Sequence, residues 1–180
     1  MNFEKLTSKS AEVLRHAETL ARSAGHSQIE PIHLLAAMLS IGESLMRPII
    51  EGVGLDYHTV QSETSTSLSS LPKQSVGNLS SVPSQALMRI LTGALGEAER
   101  FTDEYVSVEH LLLALLEVSS DAKQFLTSRG ITRESVLKII STIRGSERVD
   151  SPDPEQKFQA LEKYAVNLCD LASQGKIDPI

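Results

Sequence analysis

After Thr7, small and apolar residues recur three and four positions apart: Ala11, Leu14, Ala17, Leu20, Ala21 and Ala24 share one face until Gly25. That period predicts an amphipathic helix with Thr7 as its N-cap and Gly25 as its stop. Pro31 stands where a first helical turn tolerates proline, so the apolar run behind it predicts a second helix to about Ser40. A shorter helix is expected over Leu45–Gly52, with Pro48 limiting its early turns. Gly54 and Asp56 then read as stop and N-cap for a fourth, carrying Val60, Thr64 and Leu68 toward Pro72.

The pattern is then repeated. IEPIHLLAAML (29–39) and VSVEHLLLALL (106–116) agree at five of eleven positions, among them His33/His110, and both stretches lie 77 residues apart. At the same offset Leu91, Ala94 and Ala98 fall on Leu14, Ala17 and Ala21. From Leu126 and Gly130 the offset becomes 76, which one deleted loop residue explains. The chain therefore reads as a tandem duplication of a four-helix unit, about 1–71 and 82–145, joined by the Pro/Ser/Asn-rich stretch PKQSVGNLSSVP. Two long units suit one pseudo-two-fold globule better than an open solenoid, because each half buries its apolar faces on the other. The expected fold is all-α, a single domain over 1–145.

Beyond Gly145, GSERVDSPDPE holds two prolines and alternating charge, and residues 146–157 are expected to be a linker. Phe158, Leu161, Tyr164, Ala165, Leu168 and Leu171 then give a further helix an apolar stripe that lacks an obvious partner.

Composition narrows the classes. Of 180 residues, 41% are hydrophobic but only 4% aromatic, so the core is aliphatic and suits helix-on-helix packing. A formal charge of −6 without any basic stripe argues against nucleic acid. Cys169 is the one cysteine, at a packing position, which excludes a disulfide framework and suits a reducing compartment. No apolar run reaches the roughly 20 residues of a membrane span, and MNFEKLTSKSAEVL lacks the features of a signal peptide, so a cytoplasmic setting is expected.

LTSKS, GHSQIEPIHLLAAML, VSVEHLLLALL, IRGSERV and FQALEKYAVNLCDLASQGKIDPI, in that order, resemble the N-terminal region of the Clp/Hsp100 AAA+ ATPases, most of all its disaggregase branch. The resemblance covers essentially the whole chain. It implies that residues 158–180 begin the first ATPase domain, and that the domain engages unfolded or aggregated polypeptide for a hexameric threading motor. It also implies ATP and Mg2+ for the full-length protein, and cooperation with the DnaK chaperone system. GxxxxGK[ST] is absent from these 180 residues, so no cofactor is expected here, and the fragment is expected to be a non-catalytic monomer. The alternative is the adaptor-docking domain of a ClpA/ClpC-type unfoldase that feeds a protease.

Family residues connected with substrate engagement carry over by position to Thr7, Asp103 and Glu109. Their counterparts in the other repeat are Ser84, His26 and Ile32, so both acids occur in one half only. Each also has a structural reading: Thr7 as N-cap, Asp103 as a turn residue, Glu109 as an acid favoured by the helix dipole. Val13, Leu91 and Leu95, with Leu6 and Leu87 beside them, are candidates for an apolar groove. Replacing Thr7, Asp103 and Glu109 together is expected to weaken client binding with little effect on unfolding. His33 and His110 read as helix-start hydrogen-bonding residues, one per repeat and too few for a metal site. The acid pairs Glu97/Glu99 and Asp103/Glu104 read as solvated surface. No Ser/His or Cys/His pairing suggests a hydrolase.

Overall fold

The computed structural model describes residues 5–42, 44–73 and 81–154. Each repeat contributes four helices. The first holds α1 (Ser8–Ala24), α2 (Pro31–Ser40), α3 (Met46–Gly52) and α4 (Tyr57–Ser69); the second holds α5 (Gln85–Arg100), α6 (Val108–Glu117), α7 (Asp121–Thr127) and α8 (Arg133–Arg144). The fold is all-α, with two-residue strands β1 (Gln28–Ile29) and β2 (Val82–Pro83) as its sheet among the described residues. Cys169 and the stripe of 158–171 lie outside the described residues.

Capping chemistry sets the helix ends. Thr7 Oγ1 accepts the Ser10 N–H at 3.2 Å, and Gly25 closes α1 in the left-handed region at φ 73°. Asp56, Ser84, Ser120 and Thr132 cap α4, α5, α7 and α8 in the same way. The two histidines do equivalent work. His33 Nδ1 accepts the Glu30 N–H at 2.9 Å, and His110 Nδ1 accepts the Ser107 N–H at 3.0 Å, each standing where a capping box ordinarily uses Glu or Gln.

Helices α2 and α6 form the centre. All of Pro31–Leu39 and all of Val108–Leu116 are buried, because α1 and α4 cover α2 while α5 and α8 cover α6, and the two central helices also touch. Ala17 and Ala21, with Ala94 and Ala98 in the second repeat, let α1 and α5 approach closely. A Cβ on Gly93 of α5 would lie 3.4 Å from that of Ala114 of α6.

Across the pseudo-dyad the backbone pairing is reciprocal. Ile29 pairs in parallel with Pro83, and Val106 with Leu6, which are the same contact 77 residues on. Ser84 N–H donates to Ile29 O at 3.1 Å, as Thr7 N–H donates to Val106 O at 3.0 Å. Each repeat thus stitches the chain before its own first helix to the chain before the other's second helix.

The segment expected to be a free linker differs. Val149 is fully buried, its carbonyl accepts from Glu104 and Tyr105 N–H at 3.0 and 3.3 Å, and Pro152 O accepts the Ser8 N–H at 2.8 Å. Residues 147–152 are therefore tied back onto the domain. One buried apolar side chain and four main-chain or side-chain bonds outweigh the flexibility that the composition suggests.

Candidate functional site

Between α1 and α5 lies an open groove of about 420 Å³. Leu6, Leu14, Ile29, Pro83, Leu87 and Leu91 supply its apolar walls, buried Ala17 lies beneath with Ala11 beside it, and the exposed Arg15 and Glu18 stand at its rim. Leu6/Pro83 and Leu14/Leu91 are repeat equivalents, so the groove straddles the pseudo-two-fold axis. Met88 and Val82, next to lining residues in the chain, are the exposed large hydrophobics among the described residues, 43% and 53% accessible. An apolar channel with further apolar side chains left in water suits a transient partner.

The candidates fall in three places. Leu91 lines the groove, as do its neighbours Leu6 and Leu87. Val13 is fully buried in the core, and Leu95 is half-buried against it, outside the groove lining. Thr7, Asp103 and Glu109 are buried.

The two acids meet on Arg144, at the end of α8. Its Nη2 donates to Asp103 Oδ2 and Oδ1 at 2.7 and 2.9 Å, and its Nη1 donates to Glu109 Oε1 at 3.2 Å. Nη2 also donates to Glu147 O at 3.1 Å. Asp103 Oδ1 accepts the Val149 N–H at 2.8 Å, and its Oδ2 lies 3.0 Å from His110 Nε2. Because Nδ1 of His110 is an acceptor for Ser107, its proton belongs on Nε2, facing the carboxylate. Burial pushes the Asp103 carboxyl up, but the bonds from His110, Val149 and Arg144 together prevail and hold it below the usual range.

In the first repeat His26 replaces Asp103. His33 Nε2 lies 2.8 Å from His26 Nδ1, so two imidazole rings stand where the second repeat has a ring and a carboxylate. Burial chiefly, and His26 next, lower His33 from 6.5 to about 4, against the raising effect of its bond with Glu30.

This geometry corrects two expectations. Asp103 and Glu97 are not solvated acids: Asp103 is enclosed as described, and Glu97, 3% exposed, is held by Arg100 at 2.6 Å and Arg133 at 2.8 Å. The apolar stripe of α5 passes through residue 97, a signal legible in the sequence. Replacing Asp103 and Glu109 also strands the buried Arg144 charge, so a triple substitution with Thr7 perturbs folding as well as any binding. Their connection to the groove runs through the backbone, since Leu6 pairs with Val106 and the α1 N-terminus holds Pro152.

Among the described residues no group of three or more His, Cys, Asp or Glu could hold a metal, and no helix is long and apolar enough to cross a membrane.

A duplicated helical domain with an apolar groove on its pseudo-dyad defines the class. The profile of the Clp repeat (R) N-terminal domain matches residues 5–129, and the chain belongs to that family. It is similar to the chaperone protein ClpB of Propionibacterium freudenreichii, 39% identical over all of this chain and 21% of that protein. To ClpB of Corynebacterium glutamicum it is 38% identical, over 97% of this chain and 20% of the relative. The chain thus spans about a fifth of these curated relatives. Its fold matches the Hsp104 N-terminal domain of Candida albicans at TM-score 0.75, with 24% identity over 84% of this chain and 99% of the other. A ClpV N-domain in complex with a VipB peptide matches at TM-score 0.64, with 19% identity over 82% of this chain and 91% of that one.

Proposed function

We propose that this domain engages unfolded or aggregated polypeptide through the α1–α5 groove and presents it to a ClpB-type threading motor. The observation that carries this reading is the groove itself: apolar walls, a charged rim, and unburied Met88 and Val82 beside it. Such a surface rewards oily side chains without reading a sequence. Thr7, Asp103 and Glu109 serve it as positioning residues, by fixing the start of α1 and the Asp103–Val106 loop that pairs with Leu6. For the full-length protein the proposal includes ATP and Mg2+, a hexameric ring, the DnaK system as collaborator and a cytoplasmic setting, with residues 158–180 leading into the first ATPase domain.

Titration of the 15N-labelled chain with reduced, carboxymethylated α-lactalbumin tests this. A micromolar to millimolar dissociation constant, roughly 4–8 kcal/mol, is expected, with amide shifts gathered at Leu14, Leu87 and Leu91. Ala11→Glu, which sets a charge in the groove without removing a core side chain, is expected to weaken binding at least five-fold at unchanged thermal stability. Binding that ignores this substitution overturns the site.

The second reading, docking of a defined adaptor, is favoured by the likeness to a domain held with one partner's peptide. Unrelated unfolded proteins competing equally for the groove supports client engagement. Indifference to all of them supports adaptor docking.

A further inference from the structure

The two repeats part company at one face. In the second repeat the loop Asp103–Tyr105 is covered by chain that follows α8, with Val149 buried and its N–H and C=O both bonded to that loop. Shifting by 77 carries Asp103, Glu104 and Tyr105 onto His26, Ser27 and Gln28, and Ser8 onto Gln85. At that place the first repeat has a cavity of about 480 Å³, lined by His26, Ser27 and Gln28 together with Ile32 and Ala86.

The exposed Ser27 and Gln28 N–H groups and the buried His26 Nε2 face this cavity without a protein acceptor among the described residues. Outside the β1–β2 pairing, the Ser27 and Gln28 N–H groups donate to no backbone carbonyl among the described residues, whereas their counterparts Glu104 and Tyr105 both donate to Val149 O. His26 is only 6% exposed. Glu30 N–H occupies His33 Nδ1, so His33 gives its Nε2 proton to His26 Nδ1, and the His26 proton must sit on Nε2. That buried Nε2 has no acceptor among the described residues. A donor in this state gains when a carbonyl reaches it.

We infer that this face of the first repeat is a second docking site, for an extended segment of client polypeptide. The occupant class comes from the molecule itself, since the equivalent face is filled by non-helical main chain with the buried Val149 at its centre. In the first repeat the incoming segment places carbonyls toward the Ser27 and Gln28 N–H groups and toward His26 Nε2, with an apolar side chain in the cavity. Glu30 and Asp121 line it, with no Lys or Arg among the described lining residues, so neutral or basic segments are favoured over acidic ones. The client class is taken from the reading above but the site is not, so either can fail alone.

The test uses the 15N-labelled 180-residue chain and two capped peptides, one alternating valine with lysine, the other valine with glutamate. The lysine peptide is expected to shift Ser27, Gln28, Ile32 and Ala86 in addition to any shifts at Leu14 and Leu91, and to bind this face at least five-fold tighter than the glutamate peptide. Ala86→Trp, which fills the cavity mouth, abolishes these shifts. His26→Phe, which keeps a ring but removes the Nε2 donor together with the Nδ1 acceptor of His33, weakens them at least five-fold in a chain whose amide spectrum shows it folded. Shifts confined to the α1–α5 groove, equal binding of the two peptides, or free-state contacts showing that residues 74–80 already occupy the face would each overturn the inference.

Discussion

Acid stability tests the histidine chemistry most directly. His33 is fully buried and neutral, its ring fixed between Glu30 N–H and His26, with a pKa of about 4 against 6.5 for the free side chain. Between those two values the unfolded chain binds a proton that the fold refuses. Stability from this group is therefore fully present above pH 6.5 and is lost as pH falls toward 4. The two-state linkage relation gives a loss on the order of 1 kcal/mol by pH 5.5 and roughly 2–3 kcal/mol by pH 4.5, relative to pH 7.5. Asp103, held below 3.8, adds its own loss mainly at lower pH, so measurements stopped at pH 4.5 keep its contribution small. Urea titrations followed by circular dichroism at pH 7.5, 5.5 and 4.5 supply the numbers. His33→Gln keeps an acceptor for Glu30 N–H, as in an ordinary capping box, but does not titrate. The wild-type loss should exceed that of the variant by roughly 2 kcal/mol at pH 4.5. Equal losses would refute the assignment of a neutral, buried His33.

Two further substitutions probe the second repeat and the first helix. Arg144→Met leaves Asp103 and Glu109 buried without their cation and is expected to cost about 3–5 kcal/mol in urea unfolding, a loss partly recovered by adding Asp103→Asn and Glu109→Gln. Thr7→Ala removes the cap of α1 and should cost about 1 kcal/mol, read by the same unfolding experiment.

Local structure was legible wherever one residue type carries a distinct backbone consequence. Thr7, Gly25 and Pro31 mark helix ends because a cap oxygen, a left-handed turn and a missing N–H each leave few alternatives, and the bounds of α1 and α2 followed. The duplication and the all-α class were legible from periodicity. The reciprocal pairings of Ile29 with Pro83 and Val106 with Leu6 were not, since two-residue strands carry no period. Nor was the Arg144 cluster, because IRGSERV shows only a charged tail and nothing local links Arg144 to an acid 41 residues earlier. Val149, the one apolar residue within GSERVDSPDPE, was the available sign that this stretch is held. Among the groove candidates, spacing identified α1 and α5 and their apolar stripes but not which stripe positions border the groove: Leu91 lines it, while Val13 is sealed in the core.

The groove's position on the pseudo-dyad has a consequence for how a client lies in it. An ideal two-fold groove binds an extended chain equally well in either direction, since reversing the chain exchanges identical walls. Here Leu6/Pro83 and Leu14/Leu91 preserve that apolar equivalence, whereas the groove-lining Ala11, Arg15 and Glu18 have Met88, Thr92 and Leu95 as repeat counterparts, none of them in the lining. The charges stand on the α1 side alone. Apolar walls of matched kind keep recognition tolerant of sequence, while a rim charged on one side separates the two directions by the small energies typical of exposed ion pairs, up to about 1 kcal/mol. Under the function proposed above, divergence of the two repeats biases the orientation of a bound chain without narrowing which chains bind, as presenting polypeptide to a directional motor would require.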